Sequence, residues 1–205
     1  MEVADGRHGE LLRRLYEAAA VDLRDGKEEF VTTGRRLTWA LDLRRPLLRS
    51  ELLQPAAAAM AERLLAVGAT QIAGLGLGAA PLVCGVVAQA RGLDGALLRE
   101  QPKQRGFLRP FEGELDRDRP VWLVDDLVHS GRSAAAAAAR LRAQGLEVAG
   151  VVCLFHYAWG NGRERLRRHR LGLEPLAALQ RRGGSSSPPS MSFGLRERLN
   201  GLAGL

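Results

Sequence analysis

Cysteine, lysine and long apolar runs are all scarce in this chain of 205 residues. Its two cysteines, Cys84 and Cys153, sit alone in apolar runs. That excludes a disulfide framework and a cysteine-bound zinc, and suits reduced, buried thiols. No apolar run reaches the roughly 18 residues of a membrane span. Met1 to Glu10 lacks the pattern of a secretory leader, so a cytoplasmic protein is expected, with no membrane partner. No internal repeat is visible. Lysine is confined to Lys27 and Lys103, and the rest of the 30 basic residues are arginines. With the many alanines this marks a compositional bias, so the formal net charge of +7 is weak grounds for a nucleic-acid partner and suits a small polyanionic substrate equally. Against that bias, Lys103 stands out.

What is present is ordinary for a globular chain, with 46% apolar and 26% charged residues, and the length predicts one domain. Leu11, Leu12, Leu15, Ala18, Ala19 and Leu23 recur at helical spacing, predicting a helix over 10–23. Residues 30–33 and 37–43 read as two short strands around Gly34. A helix is predicted from Ser50 or Glu51 to Val67, ended by Gly68, with Pro55 tolerable only in its first turn. Strands follow at 71–75, 95–98, 121–124 and 148–155, and helices at 79–91 and 133–144, with Pro81 in a first turn. Residues 99–114 read as a long loop. Strands and helices alternate and two strands are continuously apolar, so the fold class is α/β: a mostly parallel twisted sheet flanked by helices, with a small N-terminal hood or hairpin and a C-terminal tail. Residues 1–180 form the domain, 181–190 (RRGGSSSPPS) are a linker by composition, and 191–205 are a tail that docks on the body, docks on a protein partner, or frays.

In such sheets ligands bind at the carboxyl ends of strands, here just after Leu75, Leu98, Val124 and Phe155. The segment Val121-Trp122-Leu123-Val124-Asp125-Asp126-Leu127-Val128-His129-Ser130-Gly131-Arg132-Ser133 carries the most chemistry. A buried strand delivers two adjacent carboxylates, which accept hydrogen bonds from vicinal sugar hydroxyls. A hydroxyl- and glycine-bearing loop then opens a helix whose N–H groups, with the Ser130 and Ser133 hydroxyls, cradle a phosphate. Together they describe a pocket for a ribose 5-phosphate. The plainer alternative is an acid pair capping a turn, with Ser133 as the helix N-cap.

This segment resembles the 5-phosphoribosyl 1-pyrophosphate (PRPP) signature of type I phosphoribosyltransferases. The rest of the chain is most similar to the orotate phosphoribosyltransferases among them. Leu98-Arg99-Glu100-Gln101-Pro102-Lys103-Gln104-Arg105-Gly106 is similar to that family's mobile catalytic loop, and Ile72 to Pro81 to its pyrophosphate-side loop and following helix. Thr33 to Asp42 resembles its hairpin. The resemblance implies PRPP-dependent transfer to a nucleobase with release of pyrophosphate, most like orotate to orotidine 5′-monophosphate. Asp125, Asp126, His129, Ser130, Gly131, Arg132, Ser133, Gly76 and Gly78 would bind PRPP. Lys103, Arg99 and Arg105 would stabilise the departing pyrophosphate together with Mg²⁺ carried by PRPP, with Asp125 and Asp126 nearby. A homodimer sharing the 99–105 loop is implied.

The chain departs from the family at Glu100, where a second lysine is usual, and at Arg105, where a histidine is usual. On the base side the usual Asp-Arg pair after the next strand is replaced by Phe155-His156-Tyr157, and Thr32 stands near the hairpin lysine's place. His156 and Tyr157, with Trp159, are the base-side candidates, or else they pack a sheet edge. Two other readings stand beside this one. Gly74-Leu75-Gly76-Leu77-Gly78-Ala79 with Asp94 satisfies a dinucleotide fingerprint, which leaves the acid pair unexplained. Glu100, Arg105 and the altered base side suit a catalytically weak or inactive homologue that binds PRPP or a nucleotide as a regulatory or partner-binding module, and the basic run from Arg163 to Arg170 suits nucleic-acid binding on the same fold, or a solvated helix face.

Overall fold

The computed structural model describes residues 8–23, 39–99, 110–180 and 190–192. The predicted strand at 30–33, Glu100, Lys103 and Arg105 lie outside them, as do most of the linker and tail.

Helix α1 (Gly9–Ala19) runs directly into β1 (Ala20–Asp22), which pairs antiparallel with β2 (Trp39–Leu41). The Asp42 N–H extends this pairing to the Ala19 carbonyl at 2.8 Å. The helical spacing over 10–23 therefore overruns by several residues: the backbone turns extended at Ala20 (ψ 121°) because a strand partner is available there. The resulting two-stranded hood is separate from the main sheet.

Helix α2 (Ser50–Ala66) ends as expected. Gly68 adopts φ +76°, its N–H bonds the Leu65 carbonyl at 3.0 Å, and Ala69 N–H bonds that of Leu64 at 2.9 Å, satisfying two otherwise orphaned carbonyls. Pro55 lies in the second turn rather than the first, so the Glu51 carbonyl lacks its usual donor. Strand β3 (Gln71–Leu75) matches its prediction and passes straight into α3 (Gly76–Gln89). Gly76 makes that turn at φ +70°, so the helix starts three residues early and Pro81 lies inside it.

The remaining elements are β4 (Asp94–Leu98), β5 (Phe111–Glu112), β6 (Val121–Val128), α4 (Arg132–Arg142), β7 (Val148–Tyr157), α5 (Gly162–Arg168), β8 (Gly172–Gln180) and β9 (Ser190–Ser192). The seven-stranded sheet has the order β5-β4-β3-β6-β7-β8-β9. Its five inner strands are parallel, and β5 and β9 are antiparallel edges. The expected class is therefore present. Strands β5, β8 and β9 are additions to the sequence reading, α5 puts most of the basic run from Arg163 on a helix with its arginines largely exposed, and Ser190–Ser192 brings the chain back onto the sheet.

One face is covered by α1, α2 and α3, with Met60, Leu64 and Leu82 in a common core with Ile72, Val124 and Val152. The other is covered by α4 and α5, whose Ala137, Ala138 and Leu166 share a core with Leu123, Val151 and Cys153. Among the described residues no helix is long and apolar enough to cross a membrane. Helix α3 crosses β3 so closely that a Cβ at Gly74 would lie 2.7 Å from both Ala79 Cβ and Val83 Cγ2. Gly74→Ala is accordingly expected to destabilise the fold by about 1–3 kcal/mol, read as a lower urea midpoint at unchanged slope.

From β3 the chain moves outward to β4, then returns to the other side of β3 as β6. The topological switch point thus lies between the carboxyl ends of β3 and β6.

Candidate active site

The acids belong to β6 itself, which extends through Val128 instead of stopping before them. Before the acids, Val121 and Leu123 face the α4 side, and Trp122 and Val124 the α2 and α3 side; after them Leu127 packs on the α2 and α3 side and Val128 on the α4 side. Strict alternation would give the reverse. β7 slips at the same level: Val151 and Cys153 share the α4-side core, while Phe155 and Tyr157 join the other. Both carboxylates consequently reach one cavity of about 770 Å³ at the switch point, which is also lined by Leu75 and Gly78 from the β3–α3 junction and Ser133 from α4. The hood closes it with Val21, Leu41, Asp42 and Arg44.

Burial pushes the Asp125 carboxyl up, and the adjacent Asp126 charge pushes it further. Asp126 is raised by burial too, partly offset by hydrogen bonding to Asp125. The Asp126 N–H donates to Asp125 Oδ1 at 3.0 Å. Such a pair resists being doubly charged until hydroxyl donors or a cation arrive. Gly78 lies against it: a Cβ there would sit 3.7 Å from Asp126 Oδ2.

The loop after β6 is braced from α5. Gly131 caps α4 at φ +69°, and a Cβ on it would lie 3.0 Å from the Gly162 carbonyl oxygen. Arg165 Nε donates to the Ser130 carbonyl at 2.8 Å. No side chain caps α4, so its first N–H groups lack an intrahelical acceptor and Ser133 brings its hydroxyl to the cavity.

Asp125, Asp126, Gly78 and Ser133 thus meet in one cavity, with Gly76, Ser130, Gly131 and exposed Arg132 on its flanking turns. His129 packs edge-on to Tyr157 at 4.9 Å, and partial burial pushes its pKa down. Arg99 follows β4 outside the cavity lining, with Nη2 on Glu112 Oε1 at 2.6 Å. Tyr157 stacks on Trp159 at 4.5 Å and Trp39 meets it edge-on at 5.9 Å, so these aromatics pack on one another. His156 is buried with neither ring nitrogen hydrogen-bonded; burial, then the Arg163 charge, lowers its pKa to about 4. Neither His156 nor Tyr157 lines the cavity.

No protein-family model matches the chain. The orotate phosphoribosyltransferase of Halobacterium salinarum is 36% identical over 129 residues, 63% of this chain and 70% of that protein. That of Natronomonas pharaonis is 33% identical over 124 residues, 60% of this chain and 69% of that protein. The chain belongs to the orotate phosphoribosyltransferase family. Its fold is similar to that of the Mycobacterium tuberculosis orotate phosphoribosyltransferase, with a TM-score of 0.69 and 25% identity over 81% of this chain and 93% of the other. Membership of the orotate phosphoribosyltransferases also accounts for the acid pair that the dinucleotide reading leaves unused.

Two polar residues of this orotate phosphoribosyltransferase site escaped the sequence reading. Asp42 and Arg44 follow β2, and Arg44 donates from Nε to Asp42 Oδ1 at 2.8 Å and from Nη2 to Oδ2 at 3.1 Å. Arg44 holds the Asp42 carboxyl below the usual range. The available signal was an acid and an arginine two residues apart at a strand's end, obscured by the general abundance of arginine.

Proposed function

We propose that this chain transfers the phosphoribosyl group of PRPP to orotate, releasing pyrophosphate and forming orotidine 5′-monophosphate. The observation that carries the reading is the convergence of Asp125, Asp126 and the α4 start on one cavity at the switch point. Asp125 and Asp126 accept hydrogen bonds from the ribose hydroxyls. The N–H groups opening α4, with the Ser130 and Ser133 hydroxyls and the Arg132 charge, hold the 5-phosphate. Gly76 and Gly78 leave room for the pyrophosphate beside the acids, and His129 flanks the phosphate loop. Tyr157 backs the hood-side wall through Trp39.

Bond breaking at the anomeric carbon develops oxocarbenium character on the ribose and negative charge on pyrophosphate, so the chain's task is mainly electrostatic. Lys103 and Arg105 carry positive charge to that pyrophosphate, and Arg99 does so by exchanging Glu112 for it. Among the described residues no group of three or more His, Cys, Asp or Glu side chains could hold a metal ion. Two adjacent carboxylates fit Mg²⁺, which keeps waters and shares substrate oxygens. When bound with PRPP, Mg²⁺ supplies further positive charge to the leaving group. Residues 1–180 act as the catalytic domain, 181–190 as a linker and 191–205 as a tail open to a protein partner. Two copies share the 99–105 loop as a homodimer.

Pyrophosphate release from PRPP and Mg²⁺ with orotate, uracil and adenine tests the reading. Release with orotate is expected; release with another base alone overturns the acceptor, and release with none overturns the reaction. Lys103→Ala should lower kcat about 100- to 1000-fold, the range for losing one charge-stabilising donor, with PRPP affinity nearly unchanged. An unchanged kcat removes Lys103 from the reaction.

A further inference from the structure

An acceptor such as orotate differs from uracil by a ring carboxylate, and a site that uses it must admit a negative charge. Resting on the reaction proposed above, we infer that Arg44 is the specificity-determining residue that receives this carboxylate, from the hood side of the cavity.

Placement supports this first. The cavity lining carries three carboxylates, Asp42, Asp125 and Asp126, and among the described residues Arg44 is its one cationic side chain. Without Arg44 that lining would repel an anionic base. Ribose geometry supports it next. The 5-phosphate and the anomeric carbon lie at opposite ends of the sugar, so a phosphate at the start of α4 directs the base away from α4. The wall there is the hood, where Val21, Ala40 and Leu41 offer an apolar surface to a planar ring and Arg44 offers the charge.

The guanidinium is also held in place. Asp42 engages its Nε at 2.8 Å and its Nη2 at 3.1 Å, and accepts the Arg44 backbone N–H at 3.1 Å. Nη1 is the nitrogen that Asp42 does not take up. A guanidinium fixed along one edge presents its remaining donors in a plane that matches a carboxylate, whereas a lysine would offer a mobile point charge. Neutralised by Asp42, the arginine attracts anions weakly at long range and selects them by hydrogen-bond geometry at short range.

Orotidine and uridine 5′-monophosphates differ only in this carboxylate, so their relative binding by calorimetry isolates it. Wild type is expected to bind the orotidine nucleotide about 10- to 100-fold more tightly, the range of a charge-assisted hydrogen bond. Arg44→Gln should bring the two within about threefold of each other, with affinity for uridine 5′-monophosphate and for PRPP retained. Arg44→Lys should keep part of the preference, and Asp42→Asn, which frees the guanidinium, should weaken it. A preference undiminished in Arg44→Gln, or no preference in wild type, overturns the assignment. Equal loss of both nucleotides and PRPP in both Arg44 variants would move Arg44 to the phosphates and overturn it as well. Pyrophosphate release by wild type with orotate separates the two levels: its absence overturns the reaction, whereas its presence with an undiminished preference in Arg44→Gln overturns only the role of Arg44.

Discussion

Replacing both acids of β6, as Asp125→Asn with Asp126→Asn, is expected to abolish PRPP binding while leaving the protein at least as stable as wild type. In the proposed site the two carboxylates accept from the vicinal ribose hydroxyls, and hydrogen bonds to charged acceptors are worth about 1.5–3 kcal/mol each. Losing both weakens PRPP about 100- to 10,000-fold. The stability expectation has the opposite sign. Burial raises both groups above the ordinary carboxylate range, and the neighbouring Asp126 charge raises Asp125 further. A group raised in the folded state favours folding while protonated and loses that contribution as pH rises through its folded pKa. Above the raised pKa of the pair the wild type therefore carries an unfavourable charge, which the amides remove. For the same reason wild-type PRPP affinity should rise with pH from below the ordinary carboxylate range to above the raised pKa of the pair, because donors stabilise the ionised form. The double variant should lose that slope. Calorimetry across pH together with urea melts checks all three. PRPP affinity retained in a folded double variant would contradict the placement of the ribose.

The second large effect is expected at Gly131. Its φ of +69° is disfavoured for a branched side chain, and a Cβ would lie 3.0 Å from the Gly162 carbonyl oxygen and 3.2 Å from Leu166 Cγ. Both belong to the α5 start that braces the loop, so neither yields without moving the Arg165 bond to Ser130. Gly131→Val should cost about 2–4 kcal/mol of stability from strain and overpacking. It should also reduce affinity for ribose 5-phosphate at least tenfold, because the N–H groups no longer converge. Gly131→Asn, which tolerates this backbone region better, should recover part of both losses. Undiminished ribose 5-phosphate affinity in Gly131→Val would show that the α4 start does not hold the phosphate.

The centre of the fold was legible because its signals are local. Continuous apolar runs mark β3 and β7, and Gly68 and Gly145 end their helices at φ +76° and +80°. The acid pair was legible for the same reason, being contiguous with the loop that opens α4. Other features depend on distant partners. Val21 and Asp22 continue a helical spacing yet pair with Ala40 and Trp39, which no local pattern encodes. Strand β8 was missed because Pro175 interrupts it. The strand tolerates the proline since β9 begins pairing only at Ala178, and at Pro175 the outer edge has no partner among the described residues. The slip in β6 that brings Asp125 and Asp126 to one cavity arises from packing on both faces of the sheet. Arg44 is one arginine among many, and its place on the cavity comes from the hood's fold over the switch point.

The most direct test is a crystal structure of the chain with PRPP and Mg²⁺. Both ribose hydroxyls are expected within hydrogen-bond distance of Asp125 and Asp126, the 5-phosphate on the N–H groups opening α4, and the pyrophosphate toward Gly76 and Gly78. PRPP bound away from the acid pair, or in the cavity with its 5-phosphate at the hood, would contradict that placement.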